Sequence, residues 1–188
     1  MTNAHTGPFD YGWPAPNGVE PAGDFDFVTD RIATGGMIWD EEDVAAMEAA
    51  GITHVVTAAI ELEDDTWRVL AGRFAHLCNG VHDDGAWKSP DWFGRSIEFT
   101  LAALQDPDAR VLLHCGAGIN RGPSSAYAVL RALGHSPSDA YRLVTEARPI
   151  ACVLYANDAD EAIEALGLRR GRASAPVAMP RARLRTVA

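Results

Sequence analysis

A strand, a loop of small residues and the start of a helix follow one another in the stretch VLLHCGAGINRGPSS, residues 111–125. The apolar run that ends at His114 is typical of a strand buried on both faces. Gly116 and Gly118 then allow a tight turn, and Pro123 suits the first turn of a helix, where its missing N–H costs little. Open α/β sheets bind ligands at the carboxyl ends of their strands, so this stretch predicts both a fold class and the position of a site.

Strand and helix patterns alternate on both sides of this stretch. This alternation indicates an α/β domain with a central, mostly parallel sheet flanked by helices. The predicted strands cover residues 25–33, 53–60, 74–78 and 110–114. The predicted helices cover residues 40–50, 63–72, 90–105, 122–133, 138–147 and 157–166.

Composition divides the 188 residues into three parts. Residues 1–24 are rich in Gly, Pro and Asn and predict an extended lead-in. Residues 25–168 hold the periodic segments of one domain. Residues 169–188 carry six arginines and no acid, which predicts a disordered, solvated tail; an acidic partner for it is the weaker alternative.

Charge and cysteine content narrow the function classes. Without the tail the chain keeps ten of its 16 basic residues against 26 acidic ones, and such a body should repel nucleic acid. No apolar run approaches the roughly 18 residues of a membrane span, and no signal-peptide pattern opens the chain.

Three widely spaced cysteines fit a reducing, cytoplasmic compartment. One lysine against fifteen arginines is typical of a GC-rich bacterial genome. The oligomeric state stays open.

Cys115 is the candidate nucleophile because it stands where the buried strand ends. Loop amides that converge on a helix N-terminus form an anion site, and the Arg121 guanidinium can add a two-pronged contact to the same oxyanion. These positive groups also stabilise a thiolate. The pattern therefore favours transfer of a phosphoryl group to sulfur. The predicted phosphate-binding residues are Gly116, Ala117, Gly118, Ile119, Asn120 and Arg121.

The stretch HCGAGINR, residues 114–121, resembles the HCxxGxxR signature of the cysteine-dependent protein tyrosine phosphatases. Ala117 and Gly118 make it similar to the dual-specificity branch. VTDRIATGG at residues 28–36 and GITHVV at residues 51–56 extend the resemblance, which runs from about residue 25 to residue 166.

The resemblance implies a phosphatase that forms a phosphocysteine on Cys115 and uses no metal or other cofactor. It also implies an aspartic acid that protonates the leaving oxygen from a loop before a helix. Asp83 lies 32 residues before Cys115 and is the preferred candidate, with the neighbouring Asp84 as the alternative. The implied partner is a phosphorylated protein or peptide. Phosphotyrosine is expected first, and phosphoserine and phosphothreonine are included if the pocket is shallow.

One position departs from the family pattern. Gly122 stands where the family usually carries a Ser or Thr whose hydroxyl helps the thiolate depart in the second step. The phosphocysteine is then expected to hydrolyse slowly, unless Ser124 or Ser125 supplies the hydroxyl. The loop also lacks the lysines of phosphoinositide-directed relatives. Two alternatives follow: a phosphatase for a small non-protein phosphate ester, and a phosphate-binding module with little turnover.

Several nearby residues have two interpretations each. His114 either orients the loop by hydrogen bonding, which is preferred, or acts as a base. Cys78 and Cys152 are interpreted as buried structural thiols, with a redox disulfide to Cys115 as the alternative. Trp87 and Trp92 flank the predicted acid loop and are candidates to cover an aromatic substrate, with helix packing as an equal alternative for Trp92. His76 and His82 are too isolated to predict a zinc site.

Overall fold

The computed structural model describes residues 23–62, 66 and 70–168. Its strands are β1 (Phe25–Phe27), β2 (Ile32–Gly35), β3 (His54–Ala59), β4 (Ala75–Val81) and β5 (Val111–His114). They form one sheet in the order β1-β2-β5-β3-β4. β1 pairs antiparallel with β2, and the other neighbours pair parallel. The predicted central, mostly parallel sheet is confirmed.

Five helices whose bounds lie within the described residues flank the sheet, and a short 3-10 turn, Ile60–Leu62, follows β3. Side chains that precede three of the helices cap their first amides: Asp40, Ser89 and Ser136. The helices are α1 (Glu41–Ala49), α2 (Pro90–Ala103), α3 (Arg121–Ala132), α4 (Pro137–Ala147) and α5 (Ala156–Ala165). Within the described residues, no helix has both the length and the apolar character that crossing a membrane requires.

Each central strand buries both of its faces. Successive side chains of a strand point to opposite sides of the sheet, and Leu112 and Leu113 of β5 accordingly lie in different core clusters. The Leu113 cluster holds the inner faces of α2, α3, α4 and α5, whereas the Leu112 cluster holds Val44 and Met47 of α1. Helices therefore cover both faces, and β5 runs through the middle of the domain.

The strand predicted over residues 25–33 is wrong as one element, because it is a hairpin of β1 and β2. The amides of Val28 and Thr29 both donate to the carbonyl of Ile32, and the Thr29 hydroxyl accepts from the amides of Arg31 and Ile32. A threonine that satisfies the amides following it favours a turn over a continuous strand.

The fourth strand continues beyond its predicted end. β4 extends to Val81 because Asn79, which looks like a loop residue, is buried and donates to the Trp92 carbonyl and the Ser96 hydroxyl, at 2.8 Å each. Thr66 and Leu70 of the helix predicted over residues 63–72 are helical. Three parts of the chain lie outside the described residues: residues 63–65 and 67–69 of that predicted helix, the lead-in up to residue 22, and the tail at 169–188.

Candidate active site

Cys115 lies at the carboxyl end of β5, the middle strand of the sheet. Its amide donates a 3.2 Å hydrogen bond to the carbonyl of Gly35, and the residue is only 2% exposed. From Cys115 the 115–120 loop leads to α3, and the amide of Met37 donates a 2.9 Å hydrogen bond to the carbonyl of Gly116. Backbone bonds from the end of β2 thus fix the start of this loop.

The first turn of α3 lies at the end of the same loop. Asn120 is the residue before the helix, but its side chain makes no capping hydrogen bond to the first-turn amides. Uncapped amides and the positive end of a helix dipole attract anions. The start of α3, next to the 115–120 loop and Cys115, therefore has the chemistry that an anion site requires.

The Arg121 side chain is buried and reaches back across the carboxyl end of the sheet. Its Nη1 and Nη2 donate to the two carboxylate oxygens of Glu61 at 2.7 and 2.5 Å, and Nη1 also donates to the carbonyl of Val81 at 2.9 Å. Its Nε lies 3.4 Å from Asp83 Oδ2. The hydrogen bond from Arg121 lowers the pKa of Glu61, so this ion pair is formed at neutral pH.

The structure separates the two candidate acids. Asp83 Oδ1 accepts hydrogen bonds from Asn120 Nδ2 at 2.7 Å and from the Tyr155 hydroxyl at 2.9 Å, so Asp83 lies against the loop and Arg121. Asp84 turns away and pairs with Lys88 Nζ at 2.5 Å. Hydrogen bonding to Lys88 lowers the pKa of Asp84. The two neighbours therefore occupy different environments.

His114 is fully buried with both ring nitrogens engaged. Its Nδ1 lies 3.1 Å from the carbonyl of Gly36, which can only accept, and its Nε2 lies 2.8 Å from the Thr57 hydroxyl. Thr57 Oγ1 also lies 2.7 Å from His76 Nε2. Burial lowers the pKa of His114 to about 4, and the nearby charge of His76 is a second cause. The neutral ring, hydrogen-bonded through both of its nitrogens, connects β5 to the end of β2 and to β3. This arrangement is suited to orienting the loop that follows His114.

Gly122 is packed too closely against β5 to carry a side chain. A Cβ at this position would lie 2.9 Å from the carbonyl oxygen of Leu113. Ser124 Oγ contacts Asn120 Oδ1 at 3.2 Å and accepts from the Tyr155 amide at 3.3 Å. Ser125 Oγ is buried and has no hydrogen-bond partner among the described residues. Neither serine is hydrogen-bonded to Cys115 in the described part of the chain.

Arg148 is a buried cation that holds the outer side of the 115–120 loop. Its Nε donates to the carbonyl of Gly118 at 2.7 Å, while its Nη1 and Nη2 pair with Asp26 and Asp24 at 2.9 and 2.7 Å. Gly118 has a φ of 63°, and a Cβ there would lie 2.4 Å from Arg148 Nη2. Only glycine fits this turn, because it lacks a Cβ and tolerates the left-handed conformation.

The remaining cysteines and tryptophans lie beside the site. The prediction that Cys152 is buried is wrong, since its side chain is exposed while its amide donates to the Ile119 carbonyl at 2.8 Å. Cys78 is half-buried, and all three cysteines are free thiols. Trp92 is buried in the packing of α2. Trp87 is exposed and donates to Glu161 of α5.

Sequence reasoning missed three residues at this site: Glu61, Arg148 and Tyr155. Glu61 lies two residues after the end of β3, and the carboxyl ends of neighbouring parallel strands meet at one sheet edge. That rule could have indicated Glu61. Arg148 and Tyr155 follow or precede helices, and no local pattern marks them.

Comparison with known proteins agrees with this geometry, although no family model matches the chain. Mouse dual specificity protein phosphatase 8 is 32% identical over 104 residues, which are 55% of this chain and 15% of the mouse protein. The Caenorhabditis elegans tyrosine-protein phosphatase vhp-1 is 29% identical over 132 residues, 69% of this chain and 20% of that protein. The chain thus spans a fifth or less of these two relatives.

The fold of the chain is also similar to that of a solved structure. The crystal structure of human tyrosine phosphatase-like serine/threonine/tyrosine-interacting protein superposes with a TM-score of 0.66 at 21% identity, over 77% of this chain and 98% of that one. At this identity the likeness concerns the fold. Together with the HCGAGINR loop, these comparisons make the chain similar in sequence to dual specificity protein phosphatases and similar in fold to a tyrosine phosphatase-like protein.

Proposed function

We propose that this chain is a phosphatase that removes phosphate from protein side chains, phosphotyrosine first, through a phosphocysteine on Cys115. The proposal is supported by three groups that converge at the end of β5. These are the buried thiol of Cys115, the uncapped start of α3 and the guanidinium of Arg121. A nucleophile beneath an anion site is the arrangement that phosphoryl transfer to sulfur requires.

The observation that carries the proposal is the Nε of Arg121, which makes no hydrogen bond to the described residues. Glu61 occupies the Nη1–Nη2 edge, whereas the buried Nε faces the Asp83 carboxylate at 3.4 Å without a hydrogen bond to it. A buried donor without an acceptor is costly, so such a group indicates a ligand. One phosphate oxygen would accept from Nε and another from the remaining proton of Nη2, a bidentate contact that guanidinium groups form with phosphate. Glu61 thus directs the free edge toward the 115–120 loop.

The chemistry follows from these positions. The Cys115 thiolate attacks phosphorus, the P–S bond forms as the P–O bond of the ester breaks, and Asp83 donates a proton to the leaving oxygen. Asp83 then accepts a proton from a water molecule that attacks the phosphocysteine. Breaking the P–S bond releases inorganic phosphate and the thiolate. His114 keeps the loop oriented throughout and exchanges no proton.

Exposed apolar side chains that are close in the chain to residues of the site support an aromatic phosphate ester. The described residues include five large exposed apolar side chains. Four of them are at most four positions along the chain from a residue that contacts the 115–120 loop or Arg121, or make such a contact themselves. An apolar surface around an anion site fits a phosphate carried on an aromatic ring better than one on a short hydroxyl side chain. These four residues are Trp39, Ile60, Trp87 and Leu154.

Turnover of p-nitrophenyl phosphate in the presence of a chelator tests the proposal. We expect repeated release of phosphate by the wild type and none by Cys115→Ser, with Cys152→Ser as the matched control that keeps activity. A panel of phosphotyrosine, phosphoserine and phosphothreonine peptides, sugar phosphates and nucleotides then measures the preference. Equal activity of Cys115→Ser and the wild type would disprove the nucleophile assignment.

A phosphate-binding module with little turnover is the second candidate, and the packing of Gly122 favours it. No side chain fits at that position, and neither Ser124 nor Ser125 is hydrogen-bonded to Cys115. If the second step needs a hydroxyl there, the wild type will release one equivalent of p-nitrophenol and stop. Multiple turnovers would exclude this candidate.

A further inference from the structure

Tyr155 connects the loop that carries Asp83 to the start of α5. The Gly85 amide donates to the Tyr155 hydroxyl at 3.2 Å, so the hydroxyl oxygen acts there as the acceptor. Its single proton is then free to donate to Asp83 Oδ1, 2.9 Å away. Burial and the hydrogen bond with Asp83 raise the pKa of Tyr155, so the hydroxyl keeps this proton at neutral pH.

The tyrosine is itself rigidly held. It is 2% exposed, its ring packs edge-on against Trp92 with centroids 6.2 Å apart, and its amide donates to Ser124 Oγ. The Lys88 ammonium lies over the ring at 4.8 Å from its centroid. A side chain fixed on all sides can fix its hydrogen-bond partner in turn.

Two further contacts join the acid loop to α5. The Lys88 amide donates to Asp158 Oδ2 at 2.8 Å, and Trp87 Nε1 donates to Glu161 Oε2 at 3.2 Å. With the bonds of Tyr155, these contacts hold residues 83–88 against one helix.

The contacts also distinguish the two oxygens of Asp83. Oδ1 accepts from Tyr155 and Asn120, whereas Oδ2 faces Arg121 Nε at 3.4 Å. Because Oδ1 is occupied by two donors, the proton that reaches the leaving group belongs on Oδ2, the oxygen beside the anion site.

We infer that Tyr155 is a positioning residue, which fixes Oδ1 of Asp83 toward α5 and thereby presents Oδ2 as the proton-donating oxygen. The inference rests on the proposed function, since it requires Asp83 to be the general acid. Loss of the Tyr155 hydroxyl should therefore slow the step that needs the acid, while binding and the attack by Cys115 continue.

The test compares Tyr155→Phe with Tyr127→Phe. Tyr127 is equally buried and its hydroxyl donates to Asp160 at the same 2.9 Å, away from the site, so it is a matched control. The measurement is the first-turnover rate of leaving-group release, which a slow second step does not affect. The substrates are phenyl phosphate, whose leaving group needs an acid, and p-nitrophenyl phosphate, whose leaving group needs it far less.

We expect Tyr155→Phe to lose about tenfold on phenyl phosphate and less than about twofold on p-nitrophenyl phosphate, because a misplaced acid loses only part of its effect. Tyr127→Phe should match the wild type on both, and thermal unfolding of the two variants checks their stability. If Tyr155→Phe and Tyr127→Phe have equal first-turnover rates on both substrates while Asp83→Asn is impaired, this inference is overturned and the proposed function stands. An unimpaired Asp83→Asn variant, or a wild type without a first turnover, overturns the proposed function and this inference with it.

Discussion

Gly122 touches the backbone of the central strand: a Cβ added to it would lie 2.9 Å from the carbonyl oxygen of Leu113. The start of α3 and the end of β5 are therefore closer here than any other residue would allow. This contact joins the helix whose N-terminus forms the proposed anion site to the strand that precedes Cys115.

We expect Gly122→Ser to lower the free energy of unfolding by about 1–3 kcal/mol, because α3 must move away from β5 to admit the new side chain. Urea denaturation measures the change. The control is Gly94→Ala in α2, where the nearest atom to the new Cβ would be a flexible leucine methyl group at 3.3 Å. That variant should stay within about 1 kcal/mol of the wild type, and a Gly122→Ser protein of wild-type stability would contradict the packing argument.

Asp83→Asn and Asp84→Asn should differ although the residues are neighbours. We expect the first substitution to slow hydrolysis of phenyl phosphate by about 10²- to 10⁴-fold, the range of a lost general acid. The second should change it by less than about threefold, since Asp84 turns toward Lys88. Steady-state kinetics on phenyl and p-nitrophenyl phosphate provide the measurement, and a reversed order would make Asp84 the acid.

Glu61→Gln should weaken anion binding without removing Arg121. The amide cannot accept from both Nη1 and Nη2, so the guanidinium loses the partner that directs its free edge. We expect the inhibition constant of tungstate, a phosphate-shaped anion, to rise about tenfold. Glu41→Gln, which removes an exposed ion pair with Arg73, is the control and should leave inhibition unchanged. Unaltered inhibition in Glu61→Gln would show that Arg121 does not need this partner.

His114 should make the protein less stable in mild acid. Its pKa falls from 6.5 to about 4 on folding because the ring is buried. Below pH 6.5 the unfolded chain binds a proton that the folded protein excludes, so stability decreases as pH falls from about 6.5 to about 4. The expected slope is up to about 1.4 kcal/mol per pH unit. Urea denaturation across this range should give a shallower slope for His114→Asn, and an identical slope would contradict the assignment.

Arg148→Gln should loosen the 115–120 loop. The substitution leaves the Gly118 carbonyl and the carboxylates of Asp24 and Asp26 without their buried cation. We expect a loss of about 3 kcal/mol in unfolding free energy together with weaker tungstate inhibition. Arg142→Gln in α4, the helix that precedes Arg148, is the control, because Arg142 is exposed and its ion pairs contribute little.

Residues that are adjacent in the chain have the most predictable relative positions. Cys115, the loop and Arg121 are consecutive, so their joint position follows from one strand-loop-helix unit. The helix bounds were also predicted to within two residues wherever the structure describes them. The predicted strand over residues 25–33 was wrong because its apolar residues suit both a long strand and a hairpin, and a single threonine hydroxyl sets the turn.

Hydrogen-bond partners that lie far apart in the chain could be identified only from the tertiary structure. Glu61 lies 60 residues before Arg121, and Tyr155 lies 72 residues after Asp83, although each pair is joined by a hydrogen bond of 2.9 Å or less. Nothing in the local pattern around these residues encodes the order in which the strands assemble.

The amino-acid sequence by itself determined the strand-loop-helix unit around Cys115 and the class of the sheet, and it limited the candidate acids to two neighbouring aspartates, since local periodicity and a contiguous motif are properties of the chain. The tertiary structure decided which aspartate faces Arg121, which carboxylate directs that arginine, and why Gly122 carries no side chain. These depend on distances between segments, and such distances are set only when the sheet and helices pack into one core.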